Sequence, residues 1–200
     1  MPNDSTNHQH VLKNGRPTIA VLVGSMTSNY QEGIMQGAAY VAAKMDYNII
    51  GFCGGVLNSP DPDTLAREKV FDLVDMNLIS GVISPFSSHM RFLDKQESQA
   101  FIERFASVPV VNIGSIIPHH TNILTDYETG FSEVFEHLYH KHGHRKIMLL
   151  RGPENHASSE KRMQIYKALL QQYDLPFDPE LVLYSNLKRI SGKAYLNFIF

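Results

Sequence analysis

The chain has 200 residues, 43% of them hydrophobic and 19% charged, which suffices for one large domain or two small ones around a real core. Its net charge of -2 offers no global electrostatic case for nucleic acid or an anionic membrane, and a single cysteine, Cys53, excludes an internal disulfide. The polar stretch 1–15 lacks the apolar core of a secretory signal, and no run approaches the ~18 apolar residues of a membrane span, so a cytoplasmic protein with a disordered N-terminal tail is expected.

Residues 16–23 (R-P-T-I-A-V-L-V) form a nearly continuous apolar run, the pattern of a strand buried on both faces. Over 30–45, Ile34, Ala38, Val41, Ala42 and Met45 recur at helical spacing. A second strand is expected over 48–53, ending at Gly54-Gly55. Asp61-Pro62 reads as an N-cap followed by proline at the first helical position, opening a helix that buries Leu65, Val70, Leu73 and Val74. A third strand over 78–84 stops at Pro85. Residues 92–105 are amphipathic, with Phe101, Ile102 and Phe105 on the apolar side, and 108–113 supply a fourth strand.

Strands alternating with helices imply βαβ units and a parallel sheet covered on both faces. Such sheets bind ligands beyond the carboxyl ends of their strands, which nominates the loops 24–30, 54–59, 85–89 and 114–120. A second βα series starts at 123–125. It continues through a helix over 128–141, a strand over 146–150, a helix over 158–173 stopped by Pro176, and a strand over 181–184. A last helix opens at 191, and the chain stops on L-N-F-I-F with no cap or polar tail, so a C-terminally truncated protein is expected.

Five segments stand in a telling order: V-P-V-V-N-I-G, then I-L-T-D-Y-E-T-G, H-L-Y-H-K-H-G-H-R-K-I, R-G-P-E with Arg162 and Tyr166 downstream, and R-I-S-G-K-A. Together they resemble the effector-binding core of LacI/GalR-type regulators, which share their fold with periplasmic sugar-binding proteins. The likeness spans 16–200. It implies an α/β fold of the periplasmic-binding-protein-like type I, with two doubly wound parallel-sheet subdomains, 16–125 and an incomplete 126–200. The R-G-P-E-N-H…R-x-x-x-Y version looks most like sensor domains heading bacterial signalling proteins whose output is a diguanylate cyclase or histidine kinase.

Three departures from that pattern stand out. Ile165 occupies a usual glycine position, residues 1–16 cannot hold a helix-turn-helix headpiece, and the aspartate that often completes the family's ligand site is absent.

What the resemblance implies is a small-molecule sensor and not an enzyme. Its effector would be sugar- or nucleoside-like, its assembly a homodimer, and neither a cofactor, a membrane nor a direct nucleic-acid contact is expected of this chain. Two rivals stand beside it. One is a LacI-family repressor whose headpiece was lost to a misplaced start codon. The other is a fragment of an α/β enzyme, for which Asp126, Glu154 and His156 are the nearby titratable candidates.

Candidate ligand-binding residues follow from the loops and the resemblance. Asn29, Tyr30 and Gln31 offer a stacking ring and amides for hydroxyls, or Asn29 simply caps a helix. Ser87 and Ser88 bond a hydroxylated ligand or cap a helix. Asp126 either binds ligand or caps the helix after it. His156, Ser158 and Arg162 follow Gly152-Pro153, and the Arg162 guanidinium suits a carboxylate, a phosphate or vicinal hydroxyls, or else forms a salt bridge. His137, His140, His142 and His144 invite a metal reading. However, no cysteine or close carboxylate completes a zinc set, the resemblance accounts for His137 and His144, and a helix end suits His140 and His142. No metal site is expected, and no Walker A, G-x-S-x-G or H-E-x-x-H motif occurs.

Overall fold

The computed structural model describes residues 12–90, 92–152 and 157–185, and the chain divides into two compact units, Met1–Leu124 and Thr125–Phe200. Unit 1 contains a five-stranded parallel sheet. Its strands are β1 (Thr18–Val23), β2 (Asn48–Cys53), β3 (Gly81–Ser84), β4 (Val110–Ile113) and β5 (Thr121–Ile123), in the order β2-β1-β3-β4-β5. The helices α1 (Asn29–Met45), α2 (Pro62–Arg67) and α3 (Lys95–Glu103) connect them.

The apolar run of β1 sits at the sheet centre with Ala20, Val21, Leu22 and Val23 wholly buried, as a strand covered on both faces requires. One core joins Leu22, Phe71, Ile79, Val82, Phe101, Ile102 and Phe105. Phe101 meets Phe71 and Phe105 edge-on at centroid distances of 5.4 and 5.5 Å, the favoured aromatic geometry.

Several expectations shift. Asp61 does cap α2 by accepting from the Thr64 amide, with Pro62 at the first position. Beyond Arg67 the chain tightens into a 3-10 turn, Glu68–Leu73, which changes the phase of the buried face. Phe71 and Val74 therefore point inward while Leu65 and Leu73 are exposed. Along α1 only Gln31 and Ala42 are buried, and Val41 and Met45 lie in solvent. Ser87 and Ser88 lie in a separate 3-10 turn, Phe86–Ser88. The cap of α3 is Asp94, in a reciprocal capping box with Glu97. The segment expected to open the second series instead closes the first sheet. β5 pairs with β4, and the Asn122 amide side chain, bonded to the Ile117 amide and to the Ile117 and His120 carbonyls, folds the connecting loop.

Unit 2 contains α4 (Tyr127–Glu136), a π-helical turn His137–Lys141, β6 (Leu149–Arg151), α5 (Ala157–Gln172) and β7 (Val182–Tyr184). β6 and β7 pair in parallel. Phe135, Ile147, Leu149, Tyr166, Leu169 and Leu170 form its core, and the Tyr166 hydroxyl donates to the Ile147 carbonyl at 2.8 Å. The helix expected from 191 onward lies outside the described residues.

Candidate functional site

In unit 1 three loops are knitted together at the carboxyl edge of the sheet. The Gly54 amide donates to the Val23 carbonyl and the Leu57 amide to the His89 carbonyl, joining the loops after β1, β2 and β3. Gly24 lies so deep in this junction that a Cβ would meet the Ser88 carbonyl oxygen at 3.0 Å and that of Gly55 at 3.1 Å. With the order β2-β1-β3-β4, this junction is the topological switch point, where the connections that follow β1 and β3 run in opposite directions along the sheet.

Five candidates sit on that edge. Asn29 and Tyr30 are exposed in the first turn of α1, whose N-cap is Ser28 and not Asn29. Gln31 is buried, and its Oε1 accepts from the amides of Gly24 at 2.6 Å and Ser25 at 3.1 Å. It holds the β1–α1 loop in shape. Ser88 is half-buried and its hydroxyl donates to the Pro85 carbonyl. Ser87 shares the turn.

His89, which no sequence motif marks, organises the same junction. It is fully buried between the Phe71 and Phe101 rings, with Nε2 3.4 Å from Ser84 Oγ and Nδ1 3.4 Å from Ser88 Oγ. Burial pushes its pKa down to about 3, so the ring is neutral. Ser84 and His89 have no exposed surface, so the pair is out of reach of a substrate and serves packing. Asn112, in register with Ser84, is likewise buried, and its Oδ1 has no hydrogen-bond partner among the described residues. Neither residue has a spacing that marks it. Only the position of His89 in the 85–89 loop pointed that way.

In unit 2 the remaining candidates gather where α4 and α5 begin. Asp126 caps α4, accepting from the amides of Glu128 and Thr129, both at 3.1 Å. The hydrogen bonds from Thr129, side chain first, hold its carboxyl below the usual carboxylate range. The Arg162 guanidinium lies over the Tyr127 ring at 5.4 Å, and its Nε donates to the Ser158 carbonyl at 2.9 Å. Arg162 Nη2 also reaches Ser158 Oγ at 3.5 Å. Ser158, Arg162 and the Asp126-capped end of α4 thus form one cluster, while His156 and Glu154 lie outside the described residues.

Arg151 is not among the candidates either. It is buried at the end of β6, ion-paired with Glu160, hydrogen-bonded to Ser159 and 5.2 Å above the Tyr184 ring. A charge closing the apolar run M-L-L was its signal. Among the described residues no group of three metal-ligating side chains occurs, and no helix is long and apolar enough to cross a membrane.

No protein-family profile and no curated protein matches the chain. Solved structures do. The transcription regulator CcpA of Lactococcus lactis superimposes with a TM-score of 0.69 at 22% identity over 91% of this chain and 63% of its own. The Lac repressor dimer bound to operator and the anti-inducer ONPF gives 0.70 at 18%, over 92% and 52%. A periplasmic binding protein/LacI transcriptional regulator from Alkaliphilus metalliredigens, complexed with D-xylulofuranose, gives 0.61 at 20%, over 90% and 64%. The chain therefore spans between about half and two thirds of the length of these regulators. Five parallel strands in the order β2-β1-β3-β4-β5, followed by a second α/β unit, give this chain the periplasmic-binding-protein-like fold of LacI-type regulators.

Proposed function

We propose that the chain is the ligand-sensing part of a LacI-type transcriptional regulator or signalling protein. The observation that carries this reading is the carboxyl edge of unit 1. Three loops are locked together there, and the polar side chains of Asn29, Tyr30 and Ser88 are presented around Gly24, where an added Cβ would press on the backbone oxygens of Ser88 and Gly55. Unit 2 adds a guanidinium with a serine, Arg162 and Ser158. These groups suit hydroxyls and a ring face, as in a sugar or nucleoside. The structural neighbours are regulators, one of them complexed with a sugar.

In this reading the effector engages Asn29, Tyr30, Gln31, Ser87 and Ser88 in unit 1, and Asp126, His156, Ser158 and Arg162 in unit 2. Stronger binding to the closed arrangement of the units shifts the population and so switches an output, in a homodimer. A thermal-shift screen of pentoses, hexoses and nucleosides on the full-length gene product tests it. A saturable rise in Tm with one of these classes, abolished in R162A, is expected. No rise with any of them would sink the reading.

A further inference from the structure

The geometry points to a two-histidine transition-metal site, for copper(II) or nickel(II), formed by His137 and His142. In a regular α-helix, residues five apart point to different sides, because five steps overshoot one 3.6-residue turn. Here α4 ends in a π-helical turn, His137–Lys141, whose i→i+5 repeat sets His142 over His137. The two Nε2 atoms lie 3.0 Å apart, a hydrogen bond between the rings that an ion seated between them would replace. The ring planes are inclined by 65°, with centroids 4.8 Å apart.

Two imidazole nitrogens about 2.05 Å from one ion are about 2.9 Å apart when the angle at the metal is a right angle, and about 3.3 Å apart at the tetrahedral angle. The observed separation fits adjacent corners of a square-planar or tetragonal site, the preference of copper(II) and nickel(II), better than a zinc tetrahedron.

The turn is built to hold this pair. The His144 amide returns to the Leu138 carbonyl at 3.1 Å, and Gly143 at φ +68° makes the reversal that an ordinary side chain resists. Arg145 lies 3.9 Å over the Tyr139 ring and donates to the Tyr139 carbonyl, which fixes the far side of the turn. Both histidines are exposed, so an ion reaches them without rearrangement of the core. No third His, Cys or carboxylate completes the set among the described residues, so water fills the other positions. Copper, at the top of the divalent affinity order, binds more tightly than nickel. The bound ion clamps the π turn that leads into β6. This inference does not depend on the sensing role.

The test uses the full chain without an affinity tag, stripped with a chelator and titrated with copper(II), then nickel(II). NMR signals of the imidazole rings report where the paramagnetic ion sits. The expected result is one ion per chain, with the rings of His137 and His142 broadened first. H142N weakens copper binding tenfold or more, and H140N and the double variant H8N/H10N leave it unchanged. The N-terminal variant matters because His8 and His10 are a rival pair in the sequence. No binding, equal binding by H142N, or loss of binding in H8N/H10N would overturn the assignment. Since His142 is exposed, H142N keeps the fold, which far-UV circular dichroism checks.

Discussion

Unit 1 should lose stability in mild acid through one residue, His89. The imidazole has no exposed surface, and burial moves its pKa from 6.5 to about 3, against a weaker opposing hydrogen bond with the Pro85 backbone. In the unfolded chain the ring takes up a proton near its ordinary value. From pH 6.5 down to about 3, the unfolded state thus binds the extra proton and the folded state does not. Stability therefore rises with pH across this window. It is complete above the unfolded value and is lost as pH falls.

For one group the slope approaches about 1.4 kcal/mol per pH unit, and between pH 6.5 and 4.5 the loss integrates to roughly 2 kcal/mol. The depressed carboxylates Asp61 and Asp126 also stabilise above their unfolded value of 3.8 and lose that contribution only at lower pH, so they do not mask the effect. Urea unfolding followed by far-UV circular dichroism at several pH values measures it, since the chain has no tryptophan. Wild type should lose about 2 kcal/mol more than H89L or H89Q between pH 6.5 and 4.5. The absolute stability of each variant is immaterial, because only the slopes are compared. Parallel loss in wild type and both variants would refute the buried neutral histidine.

Gln31→Leu removes the acceptor for the Gly24 and Ser25 amides, and the buried Gly24 donor has no replacement, so a cost of about 1–3 kcal/mol in urea unfolding is expected. Unchanged stability would show that the β1–α1 loop is not held by this side chain. Gly54→Ala brings a Cβ to 2.4 Å from the buried Phe71 ring and should cost about 1–3 kcal/mol. Gly37→Ala, with nothing within 4 Å in the middle of α1, should instead stabilise by about 0.5–1 kcal/mol, and Tm shifts of opposite sign check the pair. Tyr166→Phe strips the donor from the Ile147 carbonyl in the unit 2 core, with an expected loss of about 1 kcal/mol by urea unfolding. A neutral result would mean that water replaces the hydroxyl.

The parts of the fold that were legible are those whose signal is local. The unbroken apolar run of β1 and the Asp61-Pro62 start of α2 carry their structure in adjacent residues. Packing decides the rest. Nothing local says that the helix after Arg67 tightens, yet this turns Phe71 inward and Leu73 outward. Strand β5 is three residues long and is defined by its pairing with β4, so its sequence alone reads equally well as the start of the next unit.

The candidate site divides in the same way. The loops and Arg162 follow from the strand-end rule and from motif order. Gln31 appeared there as one polar group among three, and its burial against the Gly24 amide becomes visible only once α1 is docked on the sheet. His89 and Arg151 were missed because a buried polar residue looks, in sequence, like an exposed one.

The most direct test of the sensing account is residue-level mapping of effector binding on the full-length protein by amide NMR. Sugars and nucleosides are titrated, and the shifts are located along the chain. The account predicts saturable shifts for one of them at Asn29–Gln31, Ser88, Ser158 and Arg162, with the remainder of α1 and the π turn unaffected. Saturable shifts confined to other surfaces, or none with any of these compounds, would contradict it.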